Sequence, residues 1–145
     1  MSTREGALKH LHTRLHDSVE GYEAAIERTE SPYLKGAMQE MVQRRRANMT
    51  QIHTFLSQEG IEVSHDGSLL ADAHRTFLKL KDSVTGGGDE AVLTEIVRGE
   101  ESLLDAYDKA IEETSTGDAE FAWLREQYEA LQAKVEEFRA RAQAA

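Results

Sequence analysis

Apolar residues recur three and four residues apart along most of this chain, and that spacing predicts amphipathic helices. Near the start, the apolar stripe comprises Leu8, Leu11, Leu15, Val19, Tyr22 and Ile26. Near the end, it comprises Phe121, Leu124, Tyr128, Leu131, Val135 and Phe138. The chain has one proline, whereas a β protein of this length needs many turns and therefore many turn residues. The sequence predicts an all-α protein.

Five helical segments are predicted within one domain, residues 1–145. Two long helices form a first hairpin over about 3–60, with Ser31 at the N-cap of the second helix and Pro32 at its first position. A shorter helix over about 67–85 ends at a run of three glycines. Two more long helices form a second hairpin over about 89–143, and Asp89 can cap the first of them.

The two predicted hairpins share an internal repeat. Residues 21–29 (GYEAAIERT) are similar to residues 106–114 (AYDKAIEET), about 85 positions later. Two such hairpins joined by one long crossover, which contains the short extra helix, give a ferritin-like antiparallel four-helix bundle. The alternative is a chance match, because helices built from Ala, Glu and aliphatic residues often resemble one another.

The charge balance and the absence of cysteine restrict the function classes. The formal net charge is -10, which argues against nucleic acid and anionic membranes as partners. The lack of cysteine excludes thiolate catalysis and Cys-ligated metals, and it fits a cytoplasmic location. No signal peptide or membrane span is visible at the N-terminus. A homo-oligomer is expected, with self-association through the apolar residues of the short helix, Leu69, Leu70, Phe77 and Leu80.

Three stretches resemble a known family. Residues 17–25 (DSVEGYEAA), residues 67–81 and residues 98–101 (RGEE) followed by Ala106-Tyr107 are similar to a bacterial family of ferritin-like four-helix-bundle proteins catalogued as a domain of unknown function. The resemblance covers nearly the whole chain. It implies the fold and a wider kinship with ferritins and rubrerythrins, and it brings no established activity.

A di-iron site in this architecture needs a Glu from each of two helices and a Glu-x-x-His pair from each of the other two. In the second helix, Glu40 is followed three residues later by Gln43, and in the last helix Glu126 is followed by Glu129. The one Glu-x-x-His, residues 62–65, falls in the connection between the hairpins. The standard ligand set is therefore absent, and no cofactor is expected.

Two charged residues interrupt apolar stripes at inward positions. Arg45 lies between Met41 and Met49, and Glu100 lies between Ile96 and Leu103. An unpaired buried charge is too costly to keep, so one such residue predicts another. We expect Arg45 to form a buried ion pair with Glu100, or with Glu23, where a ferritin-like relative would hold metal. The alternative is that both side chains extend to the surface at the edge of the stripe.

An irregular metal site is the competing hypothesis. It would use Glu20, Glu23, Glu100 and Glu101, with His16 as nitrogen donor, for iron or another divalent metal. Separately, His12, His16 and Glu20 repeat at a spacing of four, and His12 and His16 with a carboxylate could hold zinc or nickel. His53 should lie near the level of His10 and His12 in the antiparallel hairpin. The alternative interpretation is that these histidines border an apolar stripe without binding metal.

The function predicted from the sequence is that of a non-enzymatic binding or structural protein. A stress-associated role is suggested only by the kinship with ferritin-like proteins. No nucleophile with an adjacent base stands out, so no catalytic residue is assigned. The alternative is a metal-binding oxidoreductase or a metal-storage protein that uses the irregular carboxylate and histidine site.

Overall fold

The structure is a computed structural model that describes residues 3–61, 88–114 and 121–144. Four helices account for nearly all of these residues: α1 (Thr3–Arg28), α2 (Pro32–Gln58), α3 (Asp89–Thr114) and α4 (Ala122–Ala144). No strand occurs within the described ranges. The predicted all-α four-helix bundle is confirmed. The predicted short helix over about 67–85 and the Glu-x-x-His sequence at 62–65 lie outside the described residues.

Helix α2 begins and ends where the local sequence predicts. The Ser31 side chain accepts a hydrogen bond from the backbone N–H of Leu34 at 3.2 Å, and Pro32 occupies the first helical position. At the other end, Gly60 has a φ of 74°, a left-handed conformation that glycine adopts without steric cost. The N–H of Ile61 then donates to the carbonyl of Leu56 at 2.8 Å, which satisfies one of the last carbonyl groups of the helix.

The contacts between helices define their directions. Helices α1 and α2 pack as one hairpin, α3 and α4 as the other, and α1 also packs against α3. The Ser31 hydroxyl donates to a carboxylate oxygen of Asp89 at 3.0 Å, so α2 and α3 start at the same end of the bundle. Arg45 and Asn48 of α2 contact Glu100 and Tyr107 of α3, respectively. Helices α2 and α3 are therefore parallel, and the end of α2 and the start of α3 lie at opposite ends of the bundle.

The core consists of the apolar stripes of all four helices. Its largest fully buried apolar side chains include Tyr22, Tyr107, Phe138 and Met38. Three residues predicted for these stripes are only partly buried and pack against the core from its edge: Ile26, Met49 and Tyr128. None of the described helices is long and apolar enough to cross a membrane.

Candidate functional site: a charged network inside the bundle

Three consecutive arginines on α2 point to three different surroundings, because successive residues on a helix are about 100° apart. Arg44 is exposed and pairs with Glu40, one turn earlier, at 3.3 Å. Arg46 is exposed and pairs with Glu23 of α1 at 2.7 Å. Arg45 lies between them and is 1% exposed. Only the middle arginine enters the core.

Arg45 meets Glu100 of α3 in the bundle interior. Both guanidinium Nη atoms donate to the carboxylate: Nη1 lies 3.1 Å from Oε1, and Nη2 donates to Oε2. The Glu100 side chain is 0% exposed. This two-pronged arrangement is the geometry in which arginine binds a carboxylate most strongly. The structure therefore places the ion pair at the position where both apolar stripes are interrupted, and Glu23 pairs elsewhere.

Two hydroxyl groups from α1 complete the network. The Tyr22 hydroxyl donates to Oε1 of Glu100. The Ser18 hydroxyl accepts from Nη1 of Arg45 at 3.2 Å and donates to the carbonyl of Leu15 at 2.7 Å. Both side chains are 0% exposed. The buried pair is thus hydrogen-bonded on both sides, which is the condition under which a charge pair is tolerated in a core.

The electrostatics keep Arg45 charged and Tyr22 neutral. Burial is the largest single effect on the pKa of Arg45 and lowers it, but the charge of Glu100, the hydrogen bond to Glu100 and the two buried tyrosines together outweigh burial, and the pKa is raised above its usual value. Burial raises the pKa of Tyr22 well above its usual value, and the charge of Glu100 adds to this effect, whereas Arg45 opposes it. At neutral pH the arginine is therefore charged and the tyrosine is neutral. Neither group can exchange a proton with a dissolved substrate.

A second polar network surrounds Tyr107, the repeat counterpart of Tyr22. Its hydroxyl donates to the Gln127 side chain of α4 at 2.8 Å and accepts from Asn48 of α2 at 3.4 Å. Gln127 in turn donates to Gln51 at 2.9 Å. The two equivalent tyrosines thus use different partners: a carboxylate on α3 for Tyr22, and amide side chains on α2 and α4 for Tyr107. The repeat is preserved in the tyrosine positions and not in the polar groups that they bind.

The network does not fit a di-iron centre. Such a centre needs carboxylates and imidazoles whose lone pairs are directed at two cations. Here both oxygens of Glu100 accept hydrogen bonds from Arg45, and Oε1 also accepts from Tyr22. A guanidinium carries no lone pair for a metal and repels cations. This interior position is therefore filled by a positive side chain of the protein itself.

The five residues of the predicted irregular metal site do not come together. Glu100 is buried with Arg45, whereas Glu101 is exposed and contacts Arg139 of α4 at 3.1 Å. His16, Glu20 and Glu23 lie along a groove between α1 and α2. Across the three described ranges, no group of three or more His, Asp or Glu side chains is arranged to hold a metal ion. The predicted five-residue set is not a single site in this structure.

Several polar residues of the interior were not predicted from the sequence. Ser18, Thr13 and Asp17 of α1 are buried, as is Gln127 of α4. The signal that identified Arg45 and Glu100 was a charge within an apolar stripe. Ser18 and Gln127 carry no charge, and they lie beside the stripes, so that signal is missing for them.

The chain matches a known family over most of its length. Residues 4–113 match the model of the family described as Domain of unknown function (DUF2383). This match contains α1, α2 and α3 as far as Glu113, and with them Tyr22, Arg45 and Glu100. No curated protein and no solved structure matches the chain. The chain belongs to the DUF2383 family, a domain of unknown function.

Proposed function

We propose that this protein is a non-enzymatic binding or structural protein that acts through its surface, and that its interior replaces a di-iron centre with an ion pair. The observation that carries the proposal is the buried Arg45–Glu100 pair, closed by Tyr22 and Ser18. All four side chains are sealed from solvent. A reaction centre needs access for a substrate and a group that changes protonation or redox state, and this network offers neither.

A ferritin-like kinship is part of the same proposal. The support is the order of helix directions, with α2 and α3 parallel and the end of α2 and the start of α3 at opposite ends of the bundle. Ferritin-like bundles share this arrangement of two hairpins with one long crossover. In this proposal residues 1–145 form one domain, the repeat reflects a pseudo-twofold relation between the hairpins, and a stress-associated role is inherited from that kinship only.

We further propose a cytoplasmic homo-oligomer without nucleic acid or membrane partners. The supporting observations are the net charge of -10, which repels phosphate backbones and anionic lipid surfaces, and the absence of cysteine. Sedimentation velocity over a hundredfold range of protein concentration tests the oligomer. A single monomeric species at every concentration would contradict it.

Iron loading tests the proposal that the interior holds an ion pair in place of a di-iron centre. Untagged protein is purified without chelator, and its metal content is measured before and after anaerobic incubation with ferrous iron. We expect no iron that resists gel filtration and no new absorbance when oxygen is admitted. About two irons per chain with oxygen-dependent absorbance, the stoichiometry of a dinuclear carboxylate centre, would contradict the proposal and favour a metal-binding oxidoreductase or storage protein.

The matched control variant is Glu23→Gln. Glu23 is an exposed carboxylate of the predicted irregular site and lies outside the buried network. If iron binds and the variant loses it, the irregular surface site holds the metal. If Glu23→Gln and Glu100→Gln both bind as much iron as the wild type, the iron binds neither at the predicted surface carboxylate nor in the interior.

A further inference from the structure

A groove between α1 and α2 of the first hairpin is lined by three histidines, of which His12 is buried. His12, His16 and Glu20 follow one another at intervals of four residues, which places them on one face of α1. His53 of α2 lines the same groove from the opposite side. The groove is separate from the Arg45–Glu100 network, so this inference goes beyond the proposed function, which concerns the interior.

The two histidines at one end of the groove are spaced as ligands of one ion would be. The ring centroids of His12 and His53 are 6.0 Å apart, and the planes are tilted by 41°. A zinc–nitrogen bond is about 2.0–2.1 Å long, which puts each ring centroid about 3 Å from the metal. Two imidazoles on one ion therefore have centroids about 5–6 Å apart. The observed spacing lies at the upper end of this range.

Two packed helices hold this spacing, and His16 and Glu20 lie on the same face of α1, one and two turns from His12. Glu23 and Arg46 form an ion pair at 2.7 Å across the same groove, and Glu23 lies about three turns along α1 from His12. The direct three-ligand arrangement is absent from the described residues. His53 is exposed and His16 is partly exposed, and side chains of this kind change rotamer on a picosecond to nanosecond timescale. We expect rotation of these side chains to close a site around an ion.

We propose that this groove is a surface site for one divalent first-row transition metal, with zinc and nickel as the favoured ions, held by His12, His16 and His53. Neutral imidazole nitrogen is the ligand that these ions prefer among the groups present. Glu20 or water completes the coordination sphere. The acidic net charge of -10 raises the local cation concentration around the protein.

Isothermal titration calorimetry with zinc chloride, and separately with nickel chloride, tests the site on untagged, chelator-treated full chain. We expect about one ion per chain. Because loss of an outer-sphere partner alone costs 10- to 100-fold in affinity, His53→Ala should raise the dissociation constant at least about tenfold. The double variant His16→Ala/His53→Ala should bind no stoichiometric ion. Zinc should also raise the melting temperature of the wild type and not that of the double variant.

The matched control is His10→Ala. His10 lies on the same helix and is also partly buried, but it contacts Arg14 at 3.3 Å and does not line the groove. We expect this variant to bind zinc as the wild type does. Equal affinity in the wild type and the double variant, or an equal loss in His10→Ala, would overturn the proposal. Absence of binding at millimolar zinc would overturn it as well. Iron that the loading experiment above shows to be lost in Glu100→Gln would contradict the proposed interior without affecting this result.

Discussion

Arg45 of α2 and Glu100 of α3 form a two-pronged ion pair that is closed to solvent, and each side chain has a further partner on α1. The pair therefore joins three of the four helices at one level of the bundle. Removing two charges from water is expensive, and their attraction repays that cost only when the remaining lone pairs and protons are bound. Tyr22 and Ser18 supply those additional hydrogen bonds. The ion pair is therefore stronger evidence for which helices pack against one another than for a gain in the net stability of the fold.

Replacing Arg45 by methionine should destabilise the protein by about 3–5 kcal/mol, because Glu100 would remain buried without its counter-charge. The measurement is the free energy of unfolding from chemical denaturation followed by circular dichroism. The control is Arg44→Met, which removes an exposed pair with Glu40 and should cost less than about 1 kcal/mol. An Arg45→Met variant as stable as the wild type would contradict the buried pair.

The double variant Arg45→Met/Glu100→Gln should regain a large part of the stability lost in Arg45→Met. Removing both charges eliminates the uncompensated carboxylate, and the glutamine oxygen still accepts from the Tyr22 hydroxyl. The coupling energy from the double-mutant cycle should be about 2 kcal/mol or more, within the range known for contacting residues. Additive effects of the two substitutions would mean that the side chains do not interact.

Tyr22→Phe should cost about 1–3 kcal/mol, because Oε1 of Glu100 loses a buried hydrogen-bond donor. The ring and its packing are retained, so the loss reports on the hydroxyl. The control is Tyr33→Phe, at a partly exposed position where the ring packs against Arg141; we expect a change within about 0.5 kcal/mol. Equal effects at the two positions would argue against a special role for the Tyr22 hydroxyl.

The helices and the central ion pair could be predicted because their sequence signals are local. Ser31-Pro32 marks a helix start by its own chemistry. A charge inside an apolar stripe, such as Arg45 or Glu100, implies a buried partner whatever the fold. The partners of Tyr22 could not be predicted with the same certainty, since they depend on which helices lie side by side. No pattern in α1 alone points to a carboxylate on α3.

The spacing of apolar residues also predicts more burial than the structure shows for residues that line the groove between α1 and α2. Met49 continues the stripe of α2, yet it is only partly buried and lines the groove between α1 and α2. The spacing of apolar residues shows which face of a helix is turned inward. It does not show whether a neighbouring helix covers that face along its whole length, because that depends on side chains such as His12 and His16 on the other helix.

Ser31→Ala should destabilise the protein by more than about 1 kcal/mol, the typical cost of losing an N-cap such as that of α2. The loss should exceed that of an isolated cap, because the same hydroxyl also donates to Asp89 at the start of α3. Thermal unfolding gives the shift in melting temperature, with Ser57→Ala at an exposed position near the end of α2 as control. If Ser31→Ala behaves like Ser57→Ala, the cap and the inter-hairpin hydrogen bond do not contribute to stability.

Alkaline titration should reveal the two buried tyrosines. Burial raises the pKa of both Tyr22 and Tyr107 above the usual value, whereas a tyrosine in an unfolded chain titrates near pH 10. Below about pH 10 both states hold these protons, so the stabilising contribution is complete. Above it, the unfolded state loses protons that the folded state retains, and the free energy of unfolding falls as the pH rises towards the raised folded-state pKa values.

Phenolate absorbance at 295 nm should therefore show two of the four tyrosines ionising only together with the loss of helical circular dichroism. Tyr22→Phe and Tyr107→Phe should each remove part of that late step. Ionisation of all four tyrosines near pH 10 with the helices intact would contradict the sealed interior.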